Sequence, residues 1–343
     1  WPAQKRTKKD QPWRKMACGL PPLLHALLSS PPRPLLPSRP PSLLAPRTLP
    51  LVTRARGPRV ARHLSPAPPR ALPDIAAAAA GLRDAVIGAF QASPPTWSSA
   101  ATTNLAIFVA GTPLLLSGLS ASGIAAAYVL GTLTWRAFGA QGFLLVAAYF
   151  VVGTAVTKLK IKQKEALGVA EKKGGRRGPG SVIGSSAAGC VCALLSVYNV
   201  GGGAFAELWT LGFVASFCTK LSDTVSSEIG KAYGRTTYLV TTFKIVPRGT
   251  EGAVSVEGTL AGIVASTFLA GIGYILGQVN LPQGVLCVLA SQIANFGESL
   301  IGATLQDKEG FEWLNNDVVN VVNISAGAVL AALMQQLLVS WRS

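Results

Sequence analysis

"ELWTLGFVASFCTKLSDTVSSEIGKAYG" (Glu207–Gly234) changes character near Lys220. Its first half is an apolar run long enough to start across a bilayer. Its second half is polar and holds two carboxylates, Asp223 and Glu228, among Ser222, Thr224, Ser226, Ser227 and Gly230. The whole chain has 343 residues, is 49% apolar and has only 13% charged residues. That composition belongs to a polytopic membrane protein. In such a protein, ionisable groups at membrane depth are functional by default. The question is what these two carboxylates do.

Working outward, apolar runs recur near residues 103–119, 121–137, 139–157, 182–199, 203–220, 255–277, 283–303 and 318–340. Crossing the hydrocarbon core takes ~20 apolar residues. The expected fold is therefore an all-α, polytopic transmembrane helical bundle of about 6–8 spans. The first two runs are short and also read as one broken helix. Their glycines and serines suit close helix packing. Residues 74–100 are Ala-rich and read as an interfacial helix or linker, and residues 101–343 as the transmembrane catalytic domain.

Three polar loops follow: 157–181, 222–254 and 306–317. The first has eight basic and two acidic residues. An even number of crossings separates each loop from the next, so all three share one side. The positive-inside rule makes that side cytoplasm-like, which in a plastid is the stroma.

The net charge of +16 invites a nucleic-acid reading, but its distribution argues against one. Residues 1–73 carry 14 of the 31 Lys and Arg beside one acid, Asp10. From Met16 to Pro73 the chain is rich in Pro, Leu, Ser and Arg and has no acid. An Arg-rich, acid-free leader is the pattern of an organelle transit peptide, here a plastid one; a basic disordered arm is the alternative. Residues 1–15 read as upstream sequence. The five cysteines show no ligand or disulfide spacing and read as small apolar residues. His25 and His63 both lie in the leader. The remainder has no histidine, which excludes a Ser-His-Asp triad or a His general base.

Asp223 and Glu228 lie about 140° apart on a helix. Carboxylates beside hydroxyls suit Mg²⁺, which takes oxygen ligands and keeps waters and substrate phosphates. A solvated helix end is the plainer reading. The stretch "VPRGTEGAVSVEGTLAG" (246–262) places Gly249, Thr250, Gly252 and Ser255 before an apolar helix, with Lys244 and Arg248 nearby. Glycines and a helix N-terminus can receive a phosphate, although there is no P-loop pattern. A flexible re-entry into the bilayer fits equally. Glu298 interrupts an apolar run. Asn316, Asn320 and Asn323 fall on one helix stripe beside Asp317, either as interhelical glue or as the lining of a polar cavity.

Several ordered motifs carry a resemblance. "SDTVSSEIG", "VPRGTEGAVSVEGTLAG", "ESLIGATLQ" and "NNDVVNVVN" resemble those of a membrane family long known as a domain of unknown function, with transmembrane protein 19 as its animal member. The resemblance covers roughly residues 100–341. Its plastid branch implies phytyl-phosphate kinase activity: transfer of a γ-phosphate from a nucleoside triphosphate such as CTP to phytyl monophosphate, supplying tocopherol and phylloquinone synthesis. The resemblance carries over Asp223, Thr224, Ser227, Glu228, Gly249, Thr250, Gly252, Ser255, Gly258, Thr259, Ser299, Gly302, Asn316, Asp317 and Asn320. Glu298 departs from it, standing where many members have Asp.

The expected roles are Asp223, Glu228, Lys244 and Arg248 in catalysis. Gly249, Thr250, Gly252, Ser255, Asn316, Asn320 and Asn323 would bind phosphate or nucleotide. Asp223, Glu228, Asp317 and Glu298 would hold Mg²⁺. The expected partners are phytyl phosphate, a nucleoside triphosphate and membrane lipid, with the active face towards the stroma of a chloroplast membrane. A phytol or polyprenol kinase and a cytidylyltransferase are the alternatives among enzymes. A transporter is the alternative from another class.

Overall fold

The computed structural model describes residues 75–306 and 308–341. The leader expected in residues 16–73, and residues 1–15 read as upstream sequence, lie outside them. Among the described residues ten α-helices form: α1 (Ile75–Gln91), α2 (Trp97–Ala110), α3 (Thr112–Gly118), α4 (Ala121–Lys158), α5 (Ile161–Ala166), α6 (Pro179–Val197), α7 (Gly203–Tyr233), α8 (Val256–Ile275), α9 (Leu281–Thr304) and α10 (Asn316–Ser340). Two short antiparallel strands, β1 (Tyr238–Leu239) and β2 (Ala253–Val254), pair Tyr238 with Val254 and Leu239 with Ala253.

Among the described residues five helices (α4, α6, α8, α9 and α10) are long and apolar enough to cross a membrane; counting the bent α2–α3 pair as one span makes six. Eight apolar runs were expected, and three details explain the difference. First, the run at 103–119 is broken at Gly111, where α2 and α3 meet at 80°.

Second, the runs at 121–137 and 139–157 are two arms of α4. Gly139 has φ 61° and ψ −155°, outside the helical region and suited to glycine. The Phe143 ring comes within 3.0 Å of where a Cβ on Gly131 would lie. Twelve residues of straight helix would separate the two by about 18 Å, so the chain doubles back. Each arm is then about 27 Å long.

Third, α7 is not among the five, because it faces protein and not lipid. It packs against α4, α6, α8, α9 and α10. Every residue from Leu211 to Ser222 is buried, so the helix is enclosed around its whole circumference. A helix in that position can carry polar groups that a lipid-facing one cannot. The outer helices do the reverse: Val129, Ile183, Val264 and Val329 are exposed on the surface of the bundle, where a bilayer would solvate them.

Small residues let α7 sit this close to its neighbours. A Cβ on Gly327 of α10 would lie 2.1 Å from Thr219 Oγ1. One on Gly262 of α8 would lie 3.0 Å from the Ser222 carbonyl oxygen.

The expected loop boundary at Ser222 moves to Gly234, since α7 continues through Tyr233. Its polar residues find partners inside the bundle, so the helix has no reason to end at Lys220. The three polar connections meet at one end. Leu119 pairs with Arg177, Gly184 packs on Asp317, and Gly252 packs on Ser299 and Ala303.

Candidate functional site

The polar end of α7 sends its two carboxylates to different places, as their angular separation requires. Asp223 turns towards α9 and α10. Lys220 Nζ donates to Asp223 Oδ2 at 2.5 Å and to Asn320 Oδ1 at 2.6 Å. Glu298 of α9 lies within hydrogen-bonding reach of Asp223. Asn323 Nδ2 donates to Glu298 Oε2 and, at 3.0 Å, to Asn295 Oδ1. The network then runs deeper. Asn295 Nδ2 donates to Ser222 Oγ at 2.9 Å. Gln292 Nε2 donates to Ser222 Oγ and Ser266 Oγ, both at 3.1 Å. Four helices thus share one polar seam in an otherwise apolar core.

The seam is costly to interrupt. Lys220, Asn320 and Asn323 are buried. Removing one partner of a buried charge leaves the other without water or counter-charge, at ~3–5 kcal/mol. Two carboxylates within reach of each other repel unless a cation or proton lies between them. Lys220 supplies one positive charge against two negative ones. Asn323 Oδ1 is buried with no hydrogen-bond partner. Oxygen-rich and short of positive charge, this donor set suits a hard cation.

Glu228 is elsewhere. It is buried against Lys164, whose side chain is fully buried and also donates to the Thr157 carbonyl oxygen at 2.7 Å. Lys231 Nζ lies 3.6 Å from the second Glu228 oxygen. The expected pairing of Asp223 with Glu228 around Mg²⁺ is therefore corrected: Asp223 meets Glu298, and Glu228 is committed to two lysines. Among the described residues no group of three or more His, Cys, Asp and Glu converges. A metal at Asp223 and Glu298 would need its remaining ligands from amide oxygens, water or substrate.

Other expected site residues divide. Asn320 and Asn323 join the seam, whereas Asn316 is exposed where α10 begins. Asp317 packs against Gly180 and Gly184 at the start of α6. Ser255 caps α8, accepting from the Gly258 N–H at 3.1 Å. Gly252 (φ 72°) brings its backbone onto α9, where a Cβ would lie 2.4 Å from the Ser299 carbonyl oxygen. Gly249 (φ 82°) turns beside Val169. Thr250 Oγ1 donates to the Pro247 carbonyl oxygen at 2.8 Å. These four hold the strand loop in place. Lys244 is exposed, and Arg248 is half-buried near Glu257.

Sequence reasoning missed Lys164, Asn295 and Gln292 and gave Lys220 no role. Gln292 and Asn295 carried a readable signal, as polar residues one turn apart in an apolar run. Lys164 carried none, being one of eight basic residues in its loop.

The family model for an integral membrane protein, DUF92, matches residues 104–328. The chain belongs to the DUF92 family. The match encloses every residue of the DUF92 polar seam and the Lys164–Glu228 pair. The chain is 70% identical over 267 residues to "Protein VTE6, chloroplastic" of Arabidopsis thaliana, covering 78% of this chain and 80% of that one. It is 52% identical over 206 residues to an uncharacterized membrane protein of Synechocystis, covering 60% of this chain and 78% of the relative. An uncharacterized membrane protein of Methanocaldococcus jannaschii is 29% identical over 219 residues, 63% of this chain and 85% of that one. No solved structure matches.

Proposed function

We propose that this protein is a phytyl-phosphate kinase of a chloroplast membrane, envelope or thylakoid, with its active face towards the stroma. The observation that carries the reading is the seam of Lys220, Asp223, Glu298, Asn320 and Asn323, set where the three polar connections converge. Likeness to a chloroplastic relative supports the compartment, and the motif resemblance supports the substrate.

The chemistry needs little from the protein beyond positioning and charge. A phosphate monoester is already a competent nucleophile, so no histidine base is required. Transfer of a γ-phosphate is stabilised by cations and donors aimed at the phosphate oxygens. Asp223 and Glu298 would hold Mg²⁺, which when bound neutralises phosphate charge. Lys220 fixes the Asp223 carboxylate and contributes a positive charge. Asn320 and Asn323 orient Lys220 and Glu298 from α10. Lys244 and Arg248, on the strand loop, are the cations available to an incoming nucleoside triphosphate. Isoprenoid chains remain in the bilayer while their phosphates stay at its surface.

The test is a product assay on membranes containing the protein, supplied with phytyl phosphate or phytol and with CTP, ATP or UTP labelled either at the γ-phosphate or in the nucleoside. Label in phytyl diphosphate, from phytyl phosphate alone, supports the kinase. Label first incorporated from phytol makes it an alcohol kinase, and transfer of the nucleoside makes it a cytidylyltransferase. Phytyl phosphate flux without nucleotide consumption makes it a transporter.

A further inference from the structure

Beside the seam lies a cavity of about 160 Å³, walled by α2, α3, both arms of α4 and α6. Its walls are apolar, with Leu115, Leu130, Phe143, Val146, Ala147 and Phe150 among them. Leu114 and Val151 line it and are also exposed on the outer surface of the bundle, so it opens sideways. From Phe143 to Val151 it follows about 12 Å of the second α4 arm.

One end of this cavity is different. Arg177 lines it, half-buried, with Nη1 donating to Tyr149 Oη at 2.8 Å. No carboxylate pairs with Arg177 among the described residues. A guanidinium at the end of an apolar cavity calls for an anion, and its planar fork matches phosphate. Arg177 also directly precedes the N-cap of α6, which no side chain caps. Tyr149 connects this end to the seam. Its ring packs on Phe217 at 5.5 Å, and Phe217 lies about one turn before Lys220 on α7.

We propose that this cavity holds the head-proximal part of the isoprenoid chain of the lipid monophosphate substrate, with Arg177 binding its phosphate beside Lys220. The rest of the chain leaves past Leu114 and Val151 into the bilayer. The identity of the lipid rests on the kinase reading; the place where a single-chain lipid phosphate binds does not.

The test uses the full chain in nanodiscs and a phytyl phosphate analogue with a diazirine on its first isoprenoid unit. Photolabelled peptides are mapped without nucleotide. Labels on residues 143–150 or 182–186 are expected. Labels confined to the outer surfaces of α8 and α9 would overturn the assignment, and so would equal competition by phosphatidylglycerol. Phytyl phosphate is expected to compete about 10-fold better than phytol, a preference lost in Arg177→Gln; a preference kept there overturns the role of Arg177. Ala147→Phe, which fills the cavity, is expected to lower labelling at least 10-fold, and unchanged labelling counts against the cavity. Mapping of the unaltered chain stands even if a variant fails to fold. None of these readouts needs turnover, so absence of kinase activity would overturn the function and leave the binding site readable.

Discussion

Lys220 and Asn320, a hundred residues apart in the chain, are joined by a hydrogen bond of 2.6 Å across the interface of α7 and α10. The same ammonium holds Asp223 at 2.5 Å. One lysine thus ties a carboxylate on the central helix to an asparagine on the last one.

Asp223→Asn and Glu298→Gln are expected to lower phosphorylation of phytyl phosphate by ~10²–10³-fold, the size of effect seen when a group stabilising transition-state charge is removed. Both should also raise the Mg²⁺ concentration needed for half-maximal rate. A Mg²⁺ titration of each variant checks this; an unchanged midpoint would remove both residues from the metal.

Glu228→Gln and Lys164→Met should act first on stability. Each leaves a buried charge without its partner, costing ~3–5 kcal/mol. The double variant Lys164→Met with Glu228→Leu should recover much of that loss, because an apolar pair of similar volume needs no desolvation. Thermal unfolding of the solubilised protein reads the result. A Glu228→Gln protein with unchanged melting and lost Mg²⁺ dependence would restore Glu228 as a metal ligand.

Gly327→Ala should push α10 away from α7, since the new methyl would lie 2.1 Å from Thr219 Oγ1. A loss of ~1–3 kcal/mol is expected from such overpacking. Thr219→Ala in the same chain should restore most of the lost melting temperature, because it removes the hydroxyl at 2.1 Å and leaves only the Cβ contact at 3.0 Å. Failure of the second change to rescue would show that the contact is not the cause.

Ser255→Ala removes the N-cap of α8 and should cost ~1 kcal/mol, with the KM for nucleotide unchanged. A rise in that KM without loss of stability would return Ser255 to phosphate binding.

Much of the bundle was legible because hydropathy records contact with lipid. The runs at 182–199, 255–277, 283–303 and 318–340 correspond to α6, α8, α9 and α10 for that reason. The expectation failed where contact is with protein. α7 carries Ser222 into the core, with Asp223 half-buried beside it, because its neighbours, and not lipid, surround it. Two of the three asparagines in the stripe were legible in the same sense: a 3.6-residue period puts Asn320 and Asn323 on one face, but it could not say that Asn316 lies beyond the packed region.

By itself the sequence determined an all-helical membrane bundle and one shared end for its polar connections. These follow from local properties: apolar run length, charge along the chain and residue type. Only the tertiary structure decided that Asp223 belongs with Glu298 and Glu228 with Lys164. Neighbours on one helix are set by its period, but a buried charge takes the counter-charge that packing brings to it. Residues 164 and 228, like 220 and 320, meet only once the helices have assembled.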